Sequence, residues 1–147
     1  MKLFTGSFTH TIDAKNRVSV PRKILEVLRR LDAGEEVVVT AGFDHCLFLY
    51  TPEEFERMSS EVDAGSLGER DVREFSRTFY SSAQECPLDK NGRMLLPDAL
   101  KRSVRLQDKV VFAGVGRRVE LWRPDDWEER QTQSLSEYES QAKEVFR

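Results

Sequence analysis

Cysteine is scarce in this chain of 147 residues, and long apolar runs are missing. The only two cysteines, Cys46 and Cys86, form no C-x2-C pair, so we expect two buried thiols in a reducing compartment rather than a zinc site. No stretch reaches the ~20 apolar residues of a membrane span. The opening residues MKLFTGSFTH lack the apolar segment of a secretory signal. We therefore expect a cytoplasmic protein with no membrane partner and no metal.

The chain also lacks an overall excess of basic charge, since its formal net charge is −3. The charges are nevertheless segregated. Residues 1–30 carry seven basic and two acidic side chains, and residues 86–123 carry nine basic and four acidic ones, so each stretch has a net charge of +5. The remaining residues sum to −13. Segregation of this kind can produce a basic face on an acidic protein, so the net charge alone does not exclude nucleic acid as a partner.

One decapeptide occurs twice. Residues 12–21 read IDAKNRVSVP and residues 88–97 read LDKNGRMLLP, 76 positions further on. The copies share an aspartate, an arginine and a proline at matching positions: Asp13 and Asp89, Arg17 and Arg93, Pro21 and Pro97. The apolar positions between them also agree, which indicates an internal duplication.

The similarity continues beyond each proline. PRKILEVLRRL and PDALKRSVRL have the apolar spacing of a short helix, with the proline in its first turn. Strand-like runs follow, EEVVVTAG then CLFLY in the first copy and DKVVFAG then VELW in the second. Thr51, Pro52 and Glu54 have the spacing of a capped helix start. Each copy therefore predicts strand, turn, strand, helix, strand, turn, strand, helix, with a further helix between the copies at about Asp71 to Tyr80 and a helical tail from Glu128.

The repeated phrase predicts a tight hairpin turn. Asn16 and Gly92 belong to the two residue types that best tolerate positive φ. An aspartate and an arginine then face each other across each turn, an ion pair that is worth only about 0–1 kcal/mol when exposed. From these residues alone, a braced hairpin with no further role is about as plausible as a functional one.

The functional interpretation rests on the basic side chains around the turns. Lys15, Asn16 and Arg17 lie at the first turn, and Arg22 and Lys23 follow just beyond it. Lysine and arginine neutralise phosphates, arginine and asparagine pair with base edges, and a two-stranded ribbon can read a DNA groove. The second turn is less basic, with Lys90, Asn91, Gly92 and Arg93, whereas Lys101 and Arg102 follow one turn later.

Signatures of enzymes are absent. The chain has no G-x-S-x-G, P-loop or dinucleotide fingerprint. Asp13 and Asp89 occupy equivalent positions, as in an aspartic-protease dyad, but Arg17 and Arg93 would keep both carboxylates ionised instead of sharing one proton. We therefore expect no catalytic residue, no cofactor and no small-molecule substrate.

The D-x-x-x-R phrase, followed by an apolar strand and a proline, resembles the swapped-hairpin AbrB family of DNA-binding domains. Two copies, together with the opening FTGSFTHTIDAKNRVSVP and the closures LYTPEEF and LWRPDDW, resemble the MraZ family of bacterial transcriptional regulators. The resemblance covers essentially the whole chain.

This resemblance implies an α+β fold with a mainly β core. Two tandem β-α-β swapped-hairpin repeats would interlock into one pseudo-symmetric barrel with peripheral helices. The implied organisation is a first repeat at residues 1–57, a connecting helical segment at 58–82, a second repeat at 83–130 and a helical tail at 131–147.

The resemblance also implies a function. Such proteins assemble as homo-oligomers in closed rings, bind short direct repeats of double-stranded DNA in the promoter of the cell-division and cell-wall operon, and repress it, which implies a nucleoid-associated protein. The key arginine, carried over, is Arg17, and we expect the first copy to read DNA while the second turns toward packing or subunit contact. The expected DNA-binding residues are Lys15, Asn16, Arg17, Arg22, Lys23, Lys90 and Arg93, with Asp13, Asp89 and Gly92 shaping the turns.

A second class of function remains open. An antitoxin-like interaction module of the same fold would use its helical tail to mask a protein partner. The acidic start of that tail supports this alternative, with Asp125, Asp126, Glu128 and Glu129. A solvated helix face explains the same charges without any partner.

Overall fold

The two halves of the chain repeat one order of secondary structure. The computed structural model describes residues 1–147. The first half contains β1 (Ser7–Thr11), β2 (Arg17–Ser19), α1 (Arg22–Arg30), β3 (Glu36–Ala41), β4 (Leu47–Tyr50) and α2 (Pro52–Asp63). Helix α3 (Arg70–Ser81) connects it to β5 (Gln84–Pro87), β6 (Arg93–Leu95), α4 (Asp98–Ser103), β7 (Lys109–Val115), β8 (Arg118–Trp122) and α5 (Pro124–Val145). The predicted element order and the helix between the copies are confirmed, and the fold is α+β with a mainly β core.

Strands of the two halves pair with each other. The main sheet has six strands in the order β1-β7-β8-β4-β3-β5, and all neighbours are antiparallel. The first strand of each half lies beside the third strand of the other half, since β1 pairs with β7 and β5 pairs with β3. The fourth strands meet at the centre, where Leu47 faces Leu121. The sheet therefore needs residues from both halves.

The two strands that follow the repeated turns form a separate ribbon. β2 and β6 pair antiparallel, with Val18 opposite Met94. Both of these side chains are buried, because they point down into the largest apolar cluster. The alternation of a strand then places their neighbours on the outer face of the ribbon.

The main sheet is covered on both faces. One face, with Val39 and Phe112, packs against the ribbon and against α1 and α4. The other face, with Phe48 and Trp122, packs against α2, α3 and α5. In this second layer the rings of Phe55 and Phe79 stack with their centroids 5.1 Å apart. The ribbon therefore lies on the opposite side of the sheet from α3.

The helix starts agree largely with the sequence. Thr51 caps α2, since its hydroxyl oxygen accepts a hydrogen bond from Glu54 N at 3.1 Å, and Pro52 takes the first helical position. Pro21 was expected in the first turn of α1, but it is the residue that precedes the helix. The tail is helical as predicted, although α5 begins earlier, at Pro124, and runs without a break past position 130. None of the five helices is long and apolar enough to cross a membrane.

Both cysteines are free thiols buried in the fold, as expected. Burial raises the pKa of Cys46 to about 12 and that of Cys86 to about 11. Because the thiolate is the reactive form of cysteine, these residues fill the apolar clusters rather than serve as nucleophiles.

One glycine lies where the N-terminal segment crosses β7. Gly114 N donates to Gly6 O at 2.8 Å, and a Cβ placed on Gly114 would lie 2.6 Å from Thr5 Cα. We expect Gly114→Ala to lower the free energy of unfolding by about 2 kcal/mol, as overpacking against backbone does. Chemical denaturation measures this difference. Gly68→Ala is the control, since its Cβ would meet only Ser66 Oγ at 3.5 Å. Equal midpoints for the two variants would contradict the close approach.

Candidate nucleic-acid interface

An aspartate organises each of the two repeated turns. Asp13 Oδ1 accepts hydrogen bonds from Lys15 N at 2.9 Å and Arg17 N at 2.8 Å, and its Oδ2 accepts from Arg17 Nε at 2.8 Å. The tip of this turn needs positive φ, which Asn16 supplies at 62°. The expected ion pair across the first turn is therefore present.

The second turn repeats this geometry. Asp89 Oδ1 accepts from Asn91 N and Arg93 N, each at 2.9 Å, and Oδ2 accepts from Arg93 Nε at 2.9 Å. Gly92 takes the tip position with φ 74°. Two turns built to the same plan show that the repeated phrase encodes one local structure.

Hydrogen bonds to the charged form lower the pKa of both carboxyl groups. For Asp13 the largest cause is the backbone N–H of Arg17, and for Asp89 it is the backbone N–H of Arg93. The arginine side chains act in the same direction. Both aspartates are therefore anions that hold an arginine in place, the opposite of a pair that shares a proton.

The ribbon presents the two motif arginines on one face. Arg17 lies opposite Leu95, and Arg93 lies opposite Ser19. These four residues share the outer face, because Val18 and Met94 between them are buried. Such diagonal neighbours lie about 7–8 Å apart. The side chains of Arg17 and Arg93 are 43% and 39% exposed, respectively.

Each arginine keeps part of its guanidinium unpaired. Of the three guanidinium nitrogens of Arg17 and of Arg93, only Nε hydrogen-bonds to the aspartate of its turn. The terminal nitrogens can then donate to an external acceptor, and the aspartate fixes the plane from which they do so. Bracing the turn and recognising a ligand are therefore compatible roles for the same side chain.

Each turn is held by the other half of the chain. Leu96 N donates to Asn16 O at 2.8 Å, and Val20 N donates to Gly92 O at 2.9 Å. Helix α4 consequently starts beside the first turn, where Lys101 Nζ donates to Asn16 Oδ1 at 2.9 Å. Helix α1 starts beside the second turn, where Leu25 covers Gly92.

This exchange corrects one sequence-based grouping. Arg22 and Lys23 were expected just beyond the first turn, but they begin the helix that covers the second turn, so they lie on the same side as Lys90. The side chain of Arg22 is 91% exposed and pairs with Glu26 on its own helix. Lys15, Lys23 and Lys90 are exposed. Lys101 lies in the second copy of the sequence, but its side chain contacts the first turn.

His10 connects the main sheet to the ribbon. Its Nδ1 donates to Ser19 O at 2.6 Å, and a carbonyl oxygen can only accept, so this ring nitrogen carries the hydrogen. The ring also packs edge-on against Phe112, with centroids 5.9 Å apart. His10 therefore helps to hold the ribbon against the main sheet.

Comparison with known proteins also detects the internal repeat. The family model described as "MraZ protein, putative antitoxin-like" matches the chain twice, at residues 3–78 and 79–146. Two matches to one family model define a tandem-repeat protein. The chain belongs to the MraZ family. The resemblance to the MraZ family is confirmed.

Individual relatives support the same assignment. A protein of Thermoanaerobacter sp. strain X514 named Transcriptional regulator MraZ is 41% identical over 127 residues, 86% of this chain and 85% of its own length. A protein of the same name from Ligilactobacillus salivarius is 44% identical over 126 residues, with the same coverage. Another, from Natranaerobius thermophilus, is 40% identical over 143 residues, 97% of this chain and 96% of its own. These relatives are named as regulators of transcription and not as enzymes.

The lowered pKa of each turn aspartate has a testable sign. At pH values above 3.8, the ordinary pKa of aspartate, the ionised carboxylates stabilise the folded turns. This stabilisation is lost as the pH falls through the lower pKa of the folded state. We expect NMR titration of the side-chain carboxyl carbons to give midpoints below 3.8 for Asp13 and Asp89. Arg17→Ala should raise the Asp13 midpoint only in part, since the backbone N–H remains, and should leave Asp89 unchanged as the internal control. Midpoints at or above 3.8 would show that these hydrogen bonds are not formed in solution.

Proposed function

We propose that this protein is a sequence-specific, double-stranded DNA-binding regulator of transcription. The observation that carries the proposal is the β2–β6 ribbon, whose outer face bears Arg17 and Arg93 between two basic turns. A two-stranded ribbon fits the major groove, where arginine pairs with guanine and asparagine with adenine. Lys15, Lys23 and Lys90 neutralise phosphates on either side.

The further details of the proposal are those that the family resemblance implies. The protein represses the operon for cell division and cell-wall synthesis, by binding short direct repeats in its promoter as a closed homo-oligomeric ring. A ring presents many identical ribbons to tandem DNA repeats, so weak individual contacts add up. Exposed apolar side chains such as Leu67 and Phe75 offer surface that association would cover. The protein then works in the cytoplasm at the nucleoid, without a cofactor, a membrane or a small-molecule substrate.

The domain organisation is part of the same proposal. The repeats at residues 1–57 and 83–130 form one interlocked, pseudo-symmetric swapped-hairpin barrel, with a connecting segment at 58–82 and a tail at 131–147. The pairing of β1 with β7 and of β5 with β3 supports this organisation. A single repeat would need a second chain to complete these pairs, whereas the duplication supplies the partner within one chain.

An antitoxin-like interaction module is the alternative. The matching family description names such a role, and α5 begins with acidic side chains. Some of this charge is already used within the chain, since Asp126 lies 3.9 Å from both Arg105 and Arg123. A gel shift separates the two functions. A DNA regulator binds the region upstream of its own coding sequence without any partner protein, and a module that only masks a partner does not.

Substitution of the ribbon arginines tests the proposed interface. We expect Arg17→Ala to weaken binding to the upstream fragment roughly 5- to 150-fold, since a bidentate base contact is worth about 1–3 kcal/mol. Arg93→Ala should weaken it less, because the second turn carries no side chain at Gly92. Fluorescence anisotropy at fixed salt measures both affinities.

Arg77→Ala is the matched control for charge. It removes one exposed arginine from α3, on the other side of the sheet, and should leave affinity unchanged. Circular dichroism and oligomer size should stay the same in all three variants. Unfolding of Arg17→Ala would assign that residue to bracing alone, and equal losses in Arg17→Ala and Arg93→Ala would refute the division between the turns.

The salt dependence of binding tests the phosphate contacts. We expect the logarithm of the association constant to fall linearly with the logarithm of the salt concentration, because each neutralised phosphate releases counterions. Lys23→Ala should weaken binding to all sequences alike and reduce this slope by about 1. Anisotropy titrations over a salt series measure the slope. A flat response in the wild-type protein would argue against an electrostatic interface.

A further inference from the structure

The two turns differ in the side chains that meet at the tip. Asn16 corresponds to Gly92 in the 76-residue repeat, and Lys101 corresponds to Leu25. At the first turn these positions form a hydrogen bond, from Lys101 Nζ to Asn16 Oδ1, between residues 85 apart in sequence. At the second turn the leucine simply covers the glycine. The duplication therefore retains the shape of the turn while changing the chemistry of its tip.

The hydrogen bond fixes which way the Asn16 amide faces. A lysine ammonium group has donors and no acceptor, so the amide oxygen, and not the nitrogen, must face Lys101. The amide NH2 group then lies on the other side, and it has no partner within the chain. The backbone of Asn16 is fixed as well, since Leu96 N donates to its carbonyl oxygen at 2.8 Å.

We propose that Lys101 is a positioning residue for sequence reading by Asn16. This inference rests on the proposed DNA-binding function and deepens it. Held by Lys101, the amide presents its N–H donors to acceptor atoms on a base edge of the major groove, namely purine N7, guanine O6 or thymine O4. The second turn has no side chain at Gly92 to do the same. Each chain thus has one turn whose tip residue reads a base and one whose tip residue cannot.

Two other roles for Lys101 make different predictions. If Lys101 contacts a phosphate, its removal weakens binding to every sequence and lowers the salt slope. If it only stabilises the fold, its removal lowers the melting temperature and leaves the sequence preference of the folded protein intact. Only a positioning role removes the preference at one base pair while the other positions keep theirs.

Selection from a pool of duplexes with a randomised segment distinguishes these roles. The enriched sequences of the wild type are compared with those of Lys101→Met, which keeps the apolar stem and removes the donor. We expect a preference of about tenfold at one base pair to be lost. Arg102→Met is the matched control, because it removes the neighbouring charge, which pairs with Asp98, and should preserve the full preference. Lys101→Arg restores a donor and should recover part of the lost preference.

A second variant keeps the test valid if Lys101→Met folds poorly. Asn16→Gly copies the second turn, tolerates positive φ and leaves Lys101 in place. It should lose the same base-pair preference, and adding Lys101→Met to it should cause no further loss of preference. Retention of the preference in either single variant overturns the inference, as does a uniform loss of affinity with a reduced salt slope. Failure of the wild type to enrich any sequence instead rejects the proposed function itself.

Discussion

The pairing of strands from one half with strands from the other is the constraint on which the rest of the structure depends. A half taken alone would leave the backbone donors and acceptors of its outer strands without partners, at a cost in free energy for every group removed from water. Pairing β1 with β7 and β3 with β5 satisfies them. β2 of the first half likewise pairs with β6 of the second half, so the ribbon carries one arginine from each half.

The turn aspartates connect this scaffold to the proposed DNA interface. Each carboxylate accepts hydrogen bonds from two backbone N–H groups and from one guanidinium N–H. These bonds fix the backbone of the turn and the arginine side chain together. An arginine that is ordered before binding loses less side-chain entropy when a ligand arrives. Three hydrogen bonds to one carboxylate therefore determine both the shape of the turn and the orientation of the arginine guanidinium.

Features that depend on neighbours in sequence were predictable. The helix periodicity, the capping of α2 by Thr51, the positive φ of Asn16 and the pairing of each turn aspartate with the arginine four residues on were all expected from local rules. The placement of Arg22 beside the second turn and of Lys101 beside the first was not. Both placements depend on whether a strand pairs within its own copy or with the other copy. The repeated sequence does not decide between these pairings, because both copies have the same pattern of strands.

The pairing of β1 with a strand far along the chain also affects folding during synthesis. Ser7 in β1 pairs with Ala113 in β7. The first strand to be synthesised therefore has no partner until the seventh of the eight strands has been made. At translation rates of about 5–20 residues per second, that interval is on the order of 5–20 s. Contacts so distant along the chain also slow folding, because loop closure must precede the gain from pairing. Throughout that interval the backbone donors and acceptors on one edge of β1 stay without their partner strand.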